Sequence, residues 1–219
     1  MTISTFTGGI FDTNCFLCEE HGILIDAPQG AAEWVAGRGA KINILILTHG
    51  HIDHVVDAAA IWREHQCEVV CHAETIPMIT EPDFFRRLGF QWDVESVQPT
   101  RILDEAKNTA FGGLNWDVLH VPGHCPGSLC FFDPTEMILF GGDVLFAGGV
   151  GRWDLPGGDR DLLFSGIKSK LFPLGDEVRV LPGHGPATTI GRERQSNPYL
   201  SRTEPGANPM LSSADADGR

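Results

Sequence analysis

The chain has 219 residues, 42% hydrophobic and 21% charged, proportions that suit one soluble globular domain with a sizeable core. Its formal net charge of −13 argues against nucleic acid or an anionic membrane surface as partner, and bound cations would offset part of that charge. The opening MTISTFTGGIF lacks a basic, apolar leader pattern, and no apolar run reaches the roughly 20 residues of a membrane helix, so a cytoplasmic location is expected.

In chain order, NCFLCEE and GILIDA read as two strands of a meander around His21-Gly22. Cys15 and Cys18 stand three apart on the first strand and so point to opposite faces, which favours packed thiols over a metal or redox pair. GAAEWVAGRGA reads as a helix weakened by Gly37. INILIL, apolar except for Asn43, is a short strand with the pattern of burial on both faces. DHVVDAAAIWREHQ reads as one helix with Asp53 as its N-cap. EVVCH, LNWDVLHV, SLCFFD and MILFGG are further strands. DRDLLFSGIKSKLF has helical periodicity, with Leu162, Leu163, Ile167 and Leu171 on one stripe. EVRVLPG is a last strand and TTIGRERQSN a short closing helix. The domain is expected over residues 1–200, with a flexible tail at 201–219 where Ser, Pro, Gly, Ala and Asp dominate. Strands alternating with flanking helices make the class α/β.

One stretch carries chemistry. THGHIDH follows INILIL directly, and His49 and His51 alternate along extended backbone, so both imidazoles can face one way. Asp53 and His54 open the next helix and can reach the same space. Three more candidate ligands sit on Gly- and Pro-rich turns after strands: His124 in HVPGHCPGS, Asp143 in FGGDVLF and His184 in VLPGHGPA. Imidazole and carboxylate together suit borderline divalent metals, and a catalytic site keeps one position open.

This ordered set resembles the metallo-β-lactamase-fold superfamily, from about Phe11 to Tyr199. The resemblance implies a four-layer αββα sandwich with a dinuclear metal centre. It would place His49, His51 and His124 on one metal, Asp53, His54 and His184 on the other, Asp143 between both, and Asp26 in support behind them. Asp53 also takes the catalytic role. The implied cofactor is two divalent ions, zinc foremost, with iron and manganese compatible with the same donors. Such a pair shares a hydroxide whose parent water has its pKa drawn from 15.7 to near 7, a nucleophile for carboxyl derivatives.

Asp143 stands where true β-lactamases usually carry Cys or Ser. GDVLFAGGVGRWDLPGGD and LPGHGPATTIGRERQSNPYL resemble the single-domain type II glyoxalases, which implies hydrolysis of S-D-lactoylglutathione to D-lactate and glutathione. The partner is then a small glutathione thioester. A persulfide dioxygenase of the same fold, with one iron on residues such as His49, His124 and Asp143, is the alternative. About thirty-five residues follow His184, too few for the basic C-terminal domain of classical glyoxalase II, so another anionic anchor is needed. Arg152 is the first candidate, ahead of Arg192 and Arg194. Trp153 either narrows the substrate channel or packs its loop, and Cys125 reads as an inert buried thiol. The GGVG at 148–151 reads as a flexible substrate loop. His21, His65 and His120 read as surface or packing residues, and His72 is not assigned to the site.

Overall fold

The computed structural model describes residues 1–200, where the strands form two six-stranded sheets and a two-stranded ribbon; the tail expected at 201–219 lies outside the described residues. The first sheet runs β1 (Ile3–Gly8), β2 (Thr13–Cys18), β3 (Ile23–Ile25), β4 (Ile44–Ile46), β5 (Glu68–His72) and β6 (Arg101–Leu103) in spatial order. It is antiparallel up to β3 and parallel from β3 to β6. The second half supplies β7 (Ala106–Phe111), β8 (Leu114–His120), β9 (Leu129–Asp133) and β10 (Ile138–Gly142). The ribbon β11 (Leu145–Phe146) and β12 (Gly149–Val150) follows, then β13 (Arg179–Pro182) and β14 (Thr188–Thr189). The second sheet is ordered β14-β13-β10-β9-β8-β7, with β10 and β13 parallel. The helices are α1 (Ala31–Arg38), α2 (Ile52–Val55), α3 (Ala58–His65), α4 (Ile76–Thr80), α5 (Phe84–Arg87), α6 (Arg160–Gly166) and α7 (Ile190–Ser196).

Strand alternation builds three apolar seams. Leu24 and Leu45 face the helices of the first half, whereas Ile23, Ile25, Ile44 and Ile46 face the second sheet. There they meet Trp116, Phe131 and Phe140, and the outer face of the second sheet packs Leu139 and Val180 against Leu163 and Ile167. Helix, sheet, sheet, helix is the four-layer sandwich expected. The β3–β4–β5 run is buried on both sides because parallel strands need crossover helices that cover them. Each fully buried Leu, Ile or Phe in these seams stabilises the fold by about 1.5–3 kcal/mol. Cys15 joins the outer seam and Cys18 the inner one, as opposite faces require. All six cysteines are free and buried. Among the described residues, no helix is long and apolar enough to cross a membrane.

Several expectations need correction. DHVVDAAAIWREHQ is two helices, and Asp53 lies in the first turn of α2, whose N-cap is His51. The break falls at Val56-Asp57 because the Asp57 carboxylate is engaged elsewhere, accepting from Gly30 N at 2.9 Å and Ala32 N at 3.0 Å. It thereby caps α1, whose own N-cap is a glycine. Leu162 is off the buried stripe, 50% exposed, because 163, 167 and 171 keep the four-residue spacing that it breaks. After α6 the chain takes one wide turn over Ile167–Leu171 and a tight one over Phe172–Leu174. The GGVG loop is pinned: buried Glu193 accepts from Gly148 N at 2.8 Å, and Asn197 Nδ2 donates to Gly149 O at 2.9 Å. Strands β1, β6 and β7, the ribbon, α4 and α5 are absent from the sequence reading, and Thr188-Thr189, read as the start of the closing helix, form strand β14, so α7 begins only at Ile190.

Candidate metal centre

All seven predicted ligands converge at one edge of the sandwich, where loops of both sheets meet. His49 leaves the end of β4, and His51, Asp53 and His54 occupy the cap and first turns of α2. His124 follows β8, Asp143 follows β10 and His184 follows β13. The ligand atoms fall into three groups, His49-His51-His124, His49-His54-Asp143 and Asp53-His54-His184, each within 4.8 Å. Asp143 reaches both ends of the cluster, with Oδ2 3.5 Å from His124 Nε2 and 3.3 Å from His184 Nε2. His124 Nε2 lies 3.3 Å from His49 Nε2, and His184 Nε2 lies 3.2 Å from Asp53 Oδ2.

The outward nitrogens explain why the inward ones converge. Nδ1 of His124 donates to Arg152 O at 2.7 Å, that of His184 to Phe11 O at 2.9 Å, and that of His54 to Asp26 Oδ2 at 2.8 Å. His49 Nδ1 lies 3.1 Å from Thr48 Oγ1, which itself donates to Asp26 Oδ2 at 2.8 Å. One buried carboxylate thus orients His54 directly and His49 through a hydroxyl. Fixing Nδ1 as donor leaves Nε2 as the lone pair facing the cluster. Asp26 sits just beyond β3 with φ of 61°, and Thr48 N also donates to it at 2.8 Å.

Two glycines make the space. Gly142 turns with φ of 48° just before Asp143, and a Cβ on it would stand 2.8 Å from Thr48. A Cβ on Gly183 would lie 2.2 Å from Asp143 Oδ1 and 2.7 Å from the His54 ring. Buried His54 Nε2 and Asp143 Oδ1 have no hydrogen-bond partner among the described residues, although they are 3.3 Å apart. Orphaned donor atoms of this kind, in a cradle that any side chain at 183 would fill, fit a divalent cation.

Electrostatics agrees. Burial lowers His49, His51 and His124, His51 to about 3, so these imidazoles stay neutral with lone pairs to give. Burial also opposes charge on His54 and His184, but nearby carboxylates outweigh it. Asp143 and Asp26 raise His54, while Asp143 and Asp53 bring His184 to about 10. Burial alone would raise Asp53 and Asp143, yet the same imidazoles hold Asp53 at about 2 and Asp143 below the usual carboxylate range. Two anionic carboxylates, strong enough to raise two of the five imidazoles while the other three stay neutral, favour positive charge at this spot.

The cluster floors a cavity of about 310 Å³ that Arg152 also lines. Its guanidinium is held by Asp154, with Nε at 2.8 Å and the terminal nitrogen at 2.9 Å. Arg192 and Arg194 do not line the cavity; Arg194 pairs with Asp176 at 2.9 Å. Trp153 packs its loop, edge-on to Phe164 at 5.5 Å, and is not in the channel. Cys125 is buried and burial pushes its thiol up, so it is inert. His72 stacks on His120 at 4.3 Å, away from the mouth.

Thr13 and Asn14 escape the sequence reading. Thr13 Oγ1 donates to Asp53 Oδ2 at 2.7 Å, and Asn14 Nδ2 bonds Pro182 O and Gly185 O at 3.0 and 2.9 Å, clamping the His184 loop. Two polar residues opening the buried run TNCFLC are the signal that could have flagged them. The apolar mouth of the cavity, around Phe84, Phe90 and Trp92, also escapes it.

Comparison with known proteins matches residues 8–184 to the profile of the metallo-beta-lactamase superfamily, most of the chain. The chain belongs to that superfamily. The hydroxyacylglutathione hydrolase GloC of Haemophilus influenzae is 36% identical, the match covering 92% of this chain and 99% of that one. The crystal structure of BLEG-1 B3 metallo-beta-lactamase superposes with a TM-score of 0.84 at 31% identity, covering 92% of this chain and all of that one. The structure of TTHA1623 in a di-iron-bound form gives 0.79 at 36% identity, covering 90% and 100%. The superfamily fold thus agrees with the His/Asp cluster in pointing to a metal-dependent enzyme.

Proposed function

We propose that the chain is a metal-dependent thioester hydrolase with S-D-lactoylglutathione as a substrate. The observation that carries the reading is the seven-donor cluster at the floor of an open cavity of about 310 Å³. The similarity to a hydroxyacylglutathione hydrolase over nearly the full length of both chains supports the choice of thioester. No cysteine nucleophile competes, since all six thiols are buried.

His49, His51 and His124 would hold one cation and Asp53, His54 and His184 a second, with Asp143 between them. Bound there, two divalent cations would supply a nucleophilic water at neutral pH and Lewis-acid polarisation of the thioester carbonyl. Zinc, iron and manganese all suit these donors, and a di-iron form is known for a 36% identical protein. The side chain of Asp53 is 18% exposed against 9% for Asp143, so Asp53 is the carboxylate at the cavity edge that can take up a proton. Its second partner, Thr13, keeps it aimed while it does so. Asp26 fixes His54 and His49 from behind, and Arg152 stands at the rim where a substrate carboxylate could pass.

The test follows thioester absorbance on adding S-D-lactoylglutathione to metal-replete protein, with and without chelator. Chelator-sensitive loss supports the reading. No loss in a metal-replete sample overturns it, and oxygen uptake with glutathione persulfide would then favour the mononuclear iron alternative.

A further inference from the structure

The cavity has two unlike sides. The ligand cluster forms its floor, and α5 with the turn after it forms a wall of Phe84, Phe85, Leu88, Phe90 and Trp92. Phe90 and Trp92 stack with centroids 5.5 Å apart and planes within 3°. Phe11, from the β1–β2 turn, stands edge-on to Trp92 at 5.7 Å, so the aromatic surface continues to the other side of the mouth. Phe11 is 47% and Leu88 44% exposed, a large apolar area to leave facing water.

Charge around this wall is already matched. Among the described residues Arg152 is the one Lys or Arg lining the cavity, and Asp154 holds it through two hydrogen bonds. On the wall segment Arg86 pairs with Asp93 at 2.7 Å, and Arg87 pairs with Asp83 at 3.0 Å and with Glu81. An incoming carboxylate has to displace one in place at each of these cations. An apolar group meets aromatic carbon with nothing to displace. At about 310 Å³ the cavity is also at the small end for ligand sites, so one arm of a thioester fits inside and the other extends into solvent. The charged thiol arm is the one that stays hydrated.

We propose that the buried arm is an aryl acyl group, and that Phe90 and Trp92 are specificity-determining residues that stack on its ring. This assignment rests on the thioester reading above. S-Mandeloylglutathione differs from S-lactoylglutathione by a phenyl ring in place of the methyl group, so the pair isolates the wall. With metal-replete full-length protein, kcat/KM for the mandeloyl ester is expected to exceed that for the lactoyl ester by about tenfold or more, mainly through KM. Phe90→Ala and Trp92→Ala should each pull that ratio towards one, a readout independent of how much protein is folded. Calorimetric titration with D-mandelate and D-lactate reads the same preference without turnover, and mandelate is expected to bind about tenfold tighter.

Equal or better turnover of the lactoyl ester, with equal product affinities, overturns the aryl assignment while the thioester reading stands. A ratio unmoved by both substitutions overturns the roles of Phe90 and Trp92. If neither ester is hydrolysed, the thioester reading fails and takes the assignment with it.

Discussion

Asp26 holds the centre together without facing the cavity. Its φ of 61° is a left-handed conformation that costs a non-glycine residue about 1–2 kcal/mol. In return the carboxylate collects Thr48 N, Thr48 Oγ1 and His54 Nδ1, so two imidazoles answer to one side chain. Asp26→Ala should weaken metal retention about 10–100-fold, read by competition with a chromophoric chelator, while circular dichroism stays native. Retention equal to the parent protein would refute this role. His124 and His184 need no such partner, because backbone carbonyls orient them. Four of the seven convergent side chains were legible because ligand chemistry belongs to residue type and the spacing within THGHIDH is local, and the other three because each is a His or Asp on a Gly-rich turn after a strand. Asn14 was not, since what it does depends on Pro182, 168 residues away.

Among elements, legibility followed length and burial pattern. The apolar ILIL after Asn43 and the strands around it emerged as read, because side-chain direction in a strand follows directly from period two. One-turn helices such as α5 and the three-residue β6 carry too few residues for any period to show. The α2–α3 boundary was hidden for another reason. Asp57 reads as an interior helical residue until its carboxylate is seen capping a helix 25 residues earlier. Asp57→Ala should cost about 1 kcal/mol through that lost cap. A thermal melt should show a Tm about 2–4 °C lower with metal content unchanged, and an unshifted melt would remove the cap from the account.

For the whole molecule, three seams shape the response to pH. Burial pushes Cys18, Cys71 and Cys130 up to about 12, whereas an unfolded thiol titrates near 8.5. Their contribution is fully present below the unfolded value. As pH rises from about 9 to 12 the unfolded chain releases protons that the folded chain keeps, so stability falls across that window. The urea midpoint should drop between pH 8 and pH 10.5, and Cys71→Ala should shrink the drop. A midpoint constant over that range, in parent and variant alike, would contradict it. The sequence pattern supplied the class, α/β. The four-layer arrangement came only through the resemblance, and the pairing order of strands, which rests on long-range register that no local period encodes, came only with the structure.

The seven donors divide four to three between the two sheets: the loop after β4 brings four, and the loops after β8, β10 and β13 bring three. Neither half can assemble the cluster by itself, and a one-residue slip of any contributing strand would turn its side chains to the wrong face. Metal uptake would then act as an inspection of assembly. Only a chain with both halves docked in register would pass, and damage that merely loosens the join would cost metal retention well before the protein comes apart.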